Sequence, residues 1–434
     1  MQIIYNLSIY LYLLVIRIAS LFNSKAKLWV SGRKNQELSF DKLRMTIGSN
    51  DSKSKIIWFH CASLGEFEQA RPLIESLKFK VQSSKLPADL KIVLTFFSPS
   101  GYEIRKNYQY ADYIFYLPID TPSNARKFIE TINPTLVFFV KYEFWFNYLQ
   151  ELKRKNIPTY LVSGIFRENH YFFKAYSNWF RRQLKCFTHF FLQDEKSMEL
   201  LKTIGYTNTT FAGDTRFDRV ADIAANVKSF PLIEQFKQDK NVFICGSTWA
   251  EDEKIICHYF SGRHPELVEG QQQKENNYKL IIAPHEIDEN HIKSILELFK
   301  SVTIVRYSQA NEANVKTTDV LIIDNIGMLS SLYQYGTIAY IGGGFGKGIH
   351  NILEAATFGL PTIFGPNYLK FNEAKELINA GGSFSIANYA EFEKTMQLLN
   401  DKSVLKTASN QSKQYVQSRV GATSKILNSI DWKS

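Results

Sequence analysis

Gly342-Gly343-Gly344-Phe345-Gly346-Lys347-Gly348-Ile349-His350-Asn351-Ile352-Leu353-Glu354 follows an apolar run, 337–341, and leads into the helix-like Glu354-Ala355-Ala356-Thr357-Phe358. A glycine-rich turn between a strand and a helix lets backbone N–H groups approach a phosphate, with the positive end of the helix dipole facing it. The carboxylate of Glu354, a turn further on, is free to grip a ribose hydroxyl pair. Glycines alone equally serve a βα turn that only packs closely. The next stretch, Gly359-Leu360-Pro361-Thr362-Ile363-Phe364-Gly365-Pro366, adds a second short strand ending in turn residues. Together the two segments favour a nucleotide-sugar site in an α/β sheet.

Outward from that turn, apolar runs of strand length alternate with helical patterns. The first series has strands at 55–60, 91–95, 113–116, 136–140, 159–162 and 187–193, with helices such as 124–131 and 144–153 between them. A second series has strands at 242–245, 280–283, 302–306, 320–323, 338–341 and 362–364. Repeated βα units imply parallel sheets covered by helices on both faces. The 434 residues suffice for two cores, since single cores stop growing at roughly 250–300 residues. The expected fold is α/β, with two Rossmann-like doubly wound domains facing a central cleft at their strand C-termini. Their expected bounds are 50–222 and 236–434, after an N-terminal helix at 1–24. Residues 39–54 read as a tether, and the polar 261–277 as a surface insertion.

The N-terminal segment 3–22 is apolar and aromatic, interrupted by Asn6, Ser8, Arg17 and Ser20 and followed by Lys25, Lys27, Arg33 and Lys34. Its length approaches the roughly 20 residues that span a bilayer, yet Arg17 and the tyrosines suit an interfacial or shallowly inserted helix better. No A-x-A-like site comes after it, so a cleavable signal is not expected, and its basic flank predicts that the remainder of the chain stays cytoplasmic. A buried amphipathic first helix is the bland alternative. The net charge of +10 points to an anionic partner. Nucleic acid is not expected, because zinc-ligand spacing, basic heptads and RNA-binding aromatics are all missing from the sequence. The four cysteines, Cys61, Cys186, Cys245 and Cys257, lack CxxC pairing and read as reduced thiols. Cys61 lies beside His60, but neighbours on a strand point to opposite faces.

Two carboxylates stand at strand-to-helix junctions. Glu66 follows Ser63-Leu64-Gly65 at a helix N-terminus, where the dipole favours its ionised form and a proton-accepting role. A purely capping role is the plainer alternative. Glu143, in Lys141-Tyr142-Glu143-Phe144-Trp145, occupies a similar junction, so one carboxylate could deprotonate an acceptor hydroxyl and the other orient it. Arg167 is a candidate for anion recognition, as are Arg181, Arg182 and Lys185. Arg216 is either a ligand or a linker ion pair. In the second series, Gly246-Ser247-Thr248 and Pro284-His285-Glu286 are βα turns able to meet a phosphate or carboxylate. His285 and His350 have no sequence neighbours that complete a metal site, so no metal or cofactor is expected.

Ser63-Leu64-Gly65-Glu66, Ser98-Pro99-Ser100-Gly101, Leu117-Pro118-Ile119-Asp120, Tyr142-Glu143-Phe144-Trp145-Phe146-Asn147, Gly213-Asp214-Thr215-Arg216-Phe217-Asp218, Gly246-Ser247-Thr248 and His350-Asn351-Ile352-Leu353-Glu354 share an order and spacing. That set resembles the 3-deoxy-D-manno-octulosonic acid (Kdo) transferases of lipopolysaccharide synthesis, from the N-terminal helix to about residue 382. The resemblance implies a GT-B glycosyltransferase on the cytoplasmic side of the cell inner membrane, moving Kdo from CMP-Kdo to a lipid A precursor with inversion and without a required metal. It implies Glu66 as the base, with Glu143, Ser63, Gly65 and Arg167 on the acceptor side. It implies a donor set of Gly246, Ser247, Thr248, Pro284, His285, Gly343, Gly344, His350, Asn351, Leu353, Glu354 and Arg216. The chain departs from the family where Pro284-His285-Glu286 replaces a usual Arg-His pair, and where Lys141 replaces an acidic residue. Two other readings are a GT-B transferase using a UDP-sugar and an inactive membrane-peripheral binding protein on the same scaffold.

Overall fold

The computed structural model describes residues 1–34, 55–87, 89–174, 177–261 and 278–432. The expected tether and all of the expected insertion except Ser261 lie outside the described residues. Two compact units divide the chain: Met1–Arg219 with Gly421–Ser434, and Val220–Val420. The expected first-domain limit at 222 lies close to this division, whereas the last residues, assigned to the second domain from sequence, belong to the first unit.

The first unit opens with helices α1 (Gln2–Ala19) and α2 (24–34). There follow β1 (Ile56–Cys61), α3 (Leu64–Gln82), β2 (Lys91–Phe96), α4 (Pro99–Arg105), β3 (Tyr113–Tyr116), α5 (Pro122–Ile132), β4 (Leu136–Val140) and α6 (Phe146–Arg154). Then come β5 (Thr159–Gly164), α7 (Asn178–Leu184), β6 (His189–Leu192), α8 (Glu195–Thr203), β7 (Thr209–Phe211) and α9 (Thr215–Ala225), which crosses the division. The seven strands form one parallel sheet in the order β3-β2-β1-β4-β5-β6-β7. Every residue of β1 and β4 is buried, as expected for strands covered on both faces. Side-chain alternation sends Trp58, Val137 and Phe139 into one core with Phe128 and Leu149. Ile57, Phe59 and Phe138 enter a second core with Phe67 and Leu73.

The second unit contains α10 (Pro231–Lys237), β8 (Asn241–Thr248), α11 (Ala250–Phe260), β9 (Tyr278–Pro284), α12 (Glu289–Leu298), β10 (Ile304–Arg306), β11 (Val320–Ile322), α13 (Leu329–Leu332) and β12 (Ile338–Ile341). It continues with α14 (Leu353–Ala356), β13 (Thr362–Phe364), α15 (Asn372–Ala380), β14 (Ser383–Ser385), α16 (Tyr389–Leu399) and α17 (Lys402–Gln417). Its sheet is also parallel, ordered β10-β11-β9-β8-β12-β13-β14. The expected pair of doubly wound α/β units is therefore what the chain forms. The short edge strands β7 and β14 are additions that the sequence reading did not contain.

The last helix, α18 (Ala422–Asn428), returns to the first unit, where Ile426, Leu427 and Ile430 join the core that holds Phe59 and Phe138. Asp218 fastens its start: Oδ1 accepts the Gly421 N–H at 2.5 Å and Oδ2 the Thr423 N–H at 2.6 Å. A carboxylate there meets two otherwise unpaired helix donors and the positive end of the helix. Asp218→Ala is expected to destabilise the first unit by about 1–3 kcal/mol, since charged hydrogen bonds of this kind contribute that much. Thermal melting combined with amide exchange at Ile426 and Leu427 tests this. Unchanged protection at both would show that apolar contacts alone hold the helix.

Candidate functional site

The first sheet reverses its strand order between β1 and β4, which pair with Ile57 beside Leu136 and His60 beside Phe139. Chains leaving two such neighbours cross to opposite faces, so a crevice opens beyond the strand C-termini. Ser63, Gly65 and Glu66 follow β1, and Glu143 follows β4. The two candidate carboxylates thus come from the two strands that flank the switch point. Glu66 is half-buried in the first turn of α3, where its Oε2 accepts the Ser63 N–H at 3.0 Å and also the Ser63 hydroxyl. The capping role is therefore real, and both of these contacts fall on one carboxylate oxygen. Burial pushes the Cys61 thiol far up, and Glu66, Glu143 and Glu68 add to the shift. A thiol held protonated is no nucleophile, and both candidate carboxylates lie within electrostatic reach of it.

Glu143 ends a chain of polar side chains rising from the sheet. Trp58 Nε1–H donates to Thr95 Oγ1 at 2.8 Å, and Thr95 Oγ1 lies 2.8 Å from His60 Nδ1. His60 Nε2 is 3.3 Å from Glu143 Oε2, which also accepts the Trp145 Nε1–H at 2.5 Å. An indole can only donate, so the Thr95 oxygen accepts from Trp58, and its hydroxyl is shared between His60 Nδ1 and the Phe59 carbonyl at 3.4 Å. Trp145 Nε1–H lies 3.0 Å from His60 Nε2 as well, so the imidazole and the indole both meet Glu143. Just before it, Lys141 has φ 61°, a left-handed conformation that disfavours a non-glycine residue and bends the chain sharply after β4. His60 entered the sequence reading only as a neighbour of Cys61. The available signal was the W-x-H alternation, which puts a polar side chain on the same strand face as Trp58.

Asp120, from Leu117-Pro118-Ile119-Asp120, sets the start of α6. Its oxygens accept the N–H groups of Asn147 and Tyr148, each at 3.1 Å, and the Tyr5 hydroxyl at 2.5 Å. Burial raises the Asp120 carboxyl to about 6 against these bonds. Arg167 is exposed beyond β5. Burial raises the Tyr142 hydroxyl, Arg167 opposes the shift, and Asp194 and Glu66 reinforce it, so Tyr142 lies within reach of both Arg167 and Glu66.

The second sheet reverses between β8 and β12, with Gly246 beside Ile341. Gly246, Ser247 and Thr248 lie at the end of β8, and the glycine turn follows β12. Ser247, like Lys141, is left-handed, at φ 55°. The two loops touch backbone to backbone: Gly342 N–H donates to Gly246 O at 2.9 Å, and a Cβ on Gly342 would stand 2.2 Å from Ser247 O. Asp252 secures the turn, accepting the N–H groups of Gly343 and Trp249, both at 2.9 Å, and the Tyr340 hydroxyl at 2.8 Å. The N–H groups of Gly342 and Gly343 are therefore engaged within the protein. The helix that follows, α14, is one turn long and starts at Leu353, too short and too distant for the developed dipole expected at this turn.

Pro284, His285 and His350 come together although they are far apart in sequence. His285 N–H donates to Thr248 O at 2.9 Å, and its ring stacks on Trp249 at 4.6 Å and on His350 at 4.4 Å. Trp249 Nε1–H donates to His350 Nε2 at 3.3 Å. Burial, then the neighbouring His285, pushes His350 down to about 4. Trp249 is the member of this stack that sequence reasoning missed. Asn351 Oδ1 accepts the Leu353 N–H at 3.1 Å, while its amide donates to Glu354 Oε1 at 3.0 Å. Arg216 belongs instead to the first unit, where its guanidinium meets Asp214 at 2.7 Å. Among the described residues, Glu286, Asp288 and His291 could offer ligand atoms within 4.8 Å of one another. Asp288 Oδ1, however, already caps α12, and His291 Nε2 lies 3.0 Å from Glu253.

A family model described as 3-deoxy-D-manno-octulosonic-acid transferase (kdotransferase) matches residues 39–219. The 3-deoxy-D-manno-octulosonic acid transferase of Rickettsia bellii is 27% identical over 372 residues, covering 83% of this chain and 83% of that protein. A bifunctional glycosyltransferase/methyltransferase of Fusobacterium nucleatum is 25% identical over 389 residues, which are 85% of this chain and 56% of that longer protein. The UDP-GlcNAc 2-epimerase of Neisseria meningitidis shares the fold, with TM-score 0.57 at 18% identity, over 86% of this chain and 98% of that one. Two Rossmann-like units with loops of this kind at their switch points give the chain the GT-B fold. In sequence it is similar to Kdo transferases, over residues 39–219 by the family model and over most of the chain by these relatives.

Two outcomes are expected from this geometry. His60→Phe removes a hydrogen-bond partner from Glu143 and another from Thr95, a loss of about 1–3 kcal/mol in urea unfolding; an unchanged midpoint would mean the contacts are not formed in solution. His350, held below the free histidine value near 6.5, lets the unfolded chain take up a proton first as pH falls. Its contribution to stability is present above pH 6.5 and is lost between 6.5 and about 4. His350→Gln should flatten the fall in urea midpoint across that window, and parallel curves for the two proteins would refute the assignment.

Proposed function

We propose that the chain is an inverting glycosyltransferase that moves Kdo from CMP-Kdo to a lipid A precursor. The observation that carries the reading is the emergence of Glu66 and Glu143 from the two strands flanking the first sheet's switch point, in a chain similar to the Kdo transferases. Glu66 takes the proton of the acceptor hydroxyl as its oxygen attacks the anomeric carbon. CMP departs with the electrons of the broken bond, and the configuration inverts. Glu143, held by His60 and Trp145, orients the attacking hydroxyl, with Ser63, Gly65 and Arg167 completing the acceptor side. On the donor side, Ser247, Thr248, the glycine turn from Gly344 onward, the His285–His350 stack and Glu354 supply hydroxyls, backbone donors, flat rings and a ribose-binding carboxylate. The scheme assigns no step to a metal.

The N-terminal helix supports a place on the cytoplasmic face of the inner membrane. It is long and apolar enough to cross a bilayer by length and composition. One side is docked, however: Tyr5 bonds to Asp120, Asn147 Nδ2–H donates to Asn6 Oδ1 at 3.0 Å, and Tyr5 meets the rings of Phe146 and Trp179. The other side exposes Ile3 at 84% and Leu14 at 55%. A helix bound along one flank and apolar on the other suits a lipid interface, and Lys25 and Lys27 favour an anionic one.

Transfer from CMP-Kdo to a tetraacylated precursor, with metal chelated and products weighed by mass spectrometry, tests the whole reading. A product heavier by Kdo supports it. Activity with a UDP-sugar and none with CMP-Kdo would overturn the donor. Glu66→Gln is expected to lower turnover by about 10²–10⁴-fold, the range for a positioned acid or base, while CMP affinity stays unchanged. Turnover near wild type would leave Glu66 as a cap alone.

A further inference from the structure

A cavity of about 1160 Å³ lies in the first unit among α1, α2, the end of β3 and α5. It matches or exceeds the few hundred to about 1,000 Å³ typical of small-molecule pockets. Arg17, Arg33, Lys34 and Lys127 line it, and no Asp or Glu does. Much of the remaining wall is apolar or aromatic. The Arg33 guanidinium carbon lies 3.7 Å from the Trp29 ring centroid and 4.8 Å from that of Tyr116. Its hydrogen bonds run to the carbonyls of Phe97 at 2.8 Å, Leu117 at 3.2 Å and Trp29 at 3.3 Å. These are neutral partners; no ion pair joins Arg33 to a carboxylate among the described residues. Burial pushes its guanidinium down, opposed by Tyr116, Tyr12 and Tyr148 rather than by a carboxylate.

Four cations around one void repel each other, and an anion between them relieves that repulsion. A free inorganic anion would leave the apolar wall wet. An anion attached to hydrocarbon satisfies both parts of the surface, because cationic side chains meet the charge while aromatic and aliphatic ones cover the chain. Part of the wall belongs to α1, whose opposite side is apolar and exposed. We propose that this cavity binds the phosphate headgroup of an anionic lipid, with the phosphate among Arg17, Arg33, Lys34 and Lys127 and acyl chain against the aromatic wall. The proposal rests on the interfacial placing of α1 and is independent of the donor and of the transfer step. Its occupant comes from the bilayer or from the phosphorylated acceptor, which share this chemistry.

The test uses the full chain in dodecyl maltoside micelles with dioleoyl phosphatidylglycerol or dioleoyl phosphatidylcholine added, and native mass spectrometry of what stays bound. One retained phosphatidylglycerol per chain is expected, with phosphatidylcholine readily lost. Arg17 and Lys127 are exposed rim residues, so the double variant Arg17→Glu, Lys127→Glu should keep its circular dichroism and melting midpoint. Its phosphatidylglycerol affinity should fall at least ten-fold. Arg33→Gln, which risks the fold by leaving three carbonyls short of a donor, is the secondary variant. Equal retention of the two lipids, or undiminished binding by the folded double variant, would overturn the site. Adding a tetraacylated, phosphorylated glycolipid separates the sources: displacement of phosphatidylglycerol assigns the cavity to the acceptor, and simultaneous retention assigns it to a bilayer lipid. Because binding is read without CMP-Kdo, a failure here leaves the transfer assay as an independent test of the proposed reaction.

Discussion

A parallel sheet whose strand order reverses once is the constraint from which both candidate sites follow. Right-handed crossovers send successive helices to one face on one side of the starting strand and to the other face on the other side. At the reversal, the connections after two adjacent strands leave in opposite directions, and the strand ends between them remain uncovered. This happens at β1 and β4 in the first unit and at β8 and β12 in the second. Each reversal lines up with the polar residues singled out from sequence, because a strand buried on both faces has no other place to present a polar side chain at low cost.

Holding loops open at a strand end requires strain and internal anchors, and both units contain them. Lys141 and Ser247 adopt left-handed conformations at the corresponding junctions. Such conformations cost on the order of 1–3 kcal/mol each and persist only where surrounding contacts fix them. In the first unit those contacts are Asp120 on the start of α6 and the Trp145 indole and His60 imidazole against Glu143. In the second, Asp252 ties Gly343, Trp249 and Tyr340 together. A buried carboxylate that gathers several backbone N–H groups shapes a loop without presenting its own charge to a ligand, which separates Asp120 and Asp252 from the half-exposed Glu66.

The main strands were legible in the sequence because both-face burial writes them as nearly continuous apolar runs, as in Leu136–Val140 and, apart from His60, in Ile56–Cys61. The edge strands β7 and β14 were not, since three residues against a single neighbour carry too little apolar signal. Nor could periodicity assign α18 to the first unit. Its amphipathic pattern says that one face is buried, while the Asp218 contacts that decide where span more than 200 positions. At the sites, the strand-to-helix junctions marked Glu66, Glu143 and the glycine turn. The partners that orient them, His60 through Thr95 and Trp249 through His285, depend on register between distant strands. The glycine turn reads equally as an approach to a phosphate and as close packing, and the Gly342 contact with Ser247 shows the packing of one loop on another.

The N-terminal helix shows how far composition alone reaches. Hydropathy and length place it equally in a bilayer, on one, or in a core. What narrows the choice is polar chemistry: Tyr5 and Asn6 are held by Asp120 and Asn147, whose own partners form the first turn of α6. To span a bilayer, α1 would have to break those bonds and strand Asn6 and the Tyr5 hydroxyl among lipid tails, where each unpaired polar group costs several kcal/mol. The interfacial placement proposed for α1 would keep them paired, with the exposed leucines and isoleucines free to face lipid. The Asp120 that receives α1 also shapes the loop carrying Glu143, so the seat of α1 and the start of the Glu143 loop share one buried anchor. A change in how α1 sits is therefore felt first at the start of α6, three residues beyond Glu143.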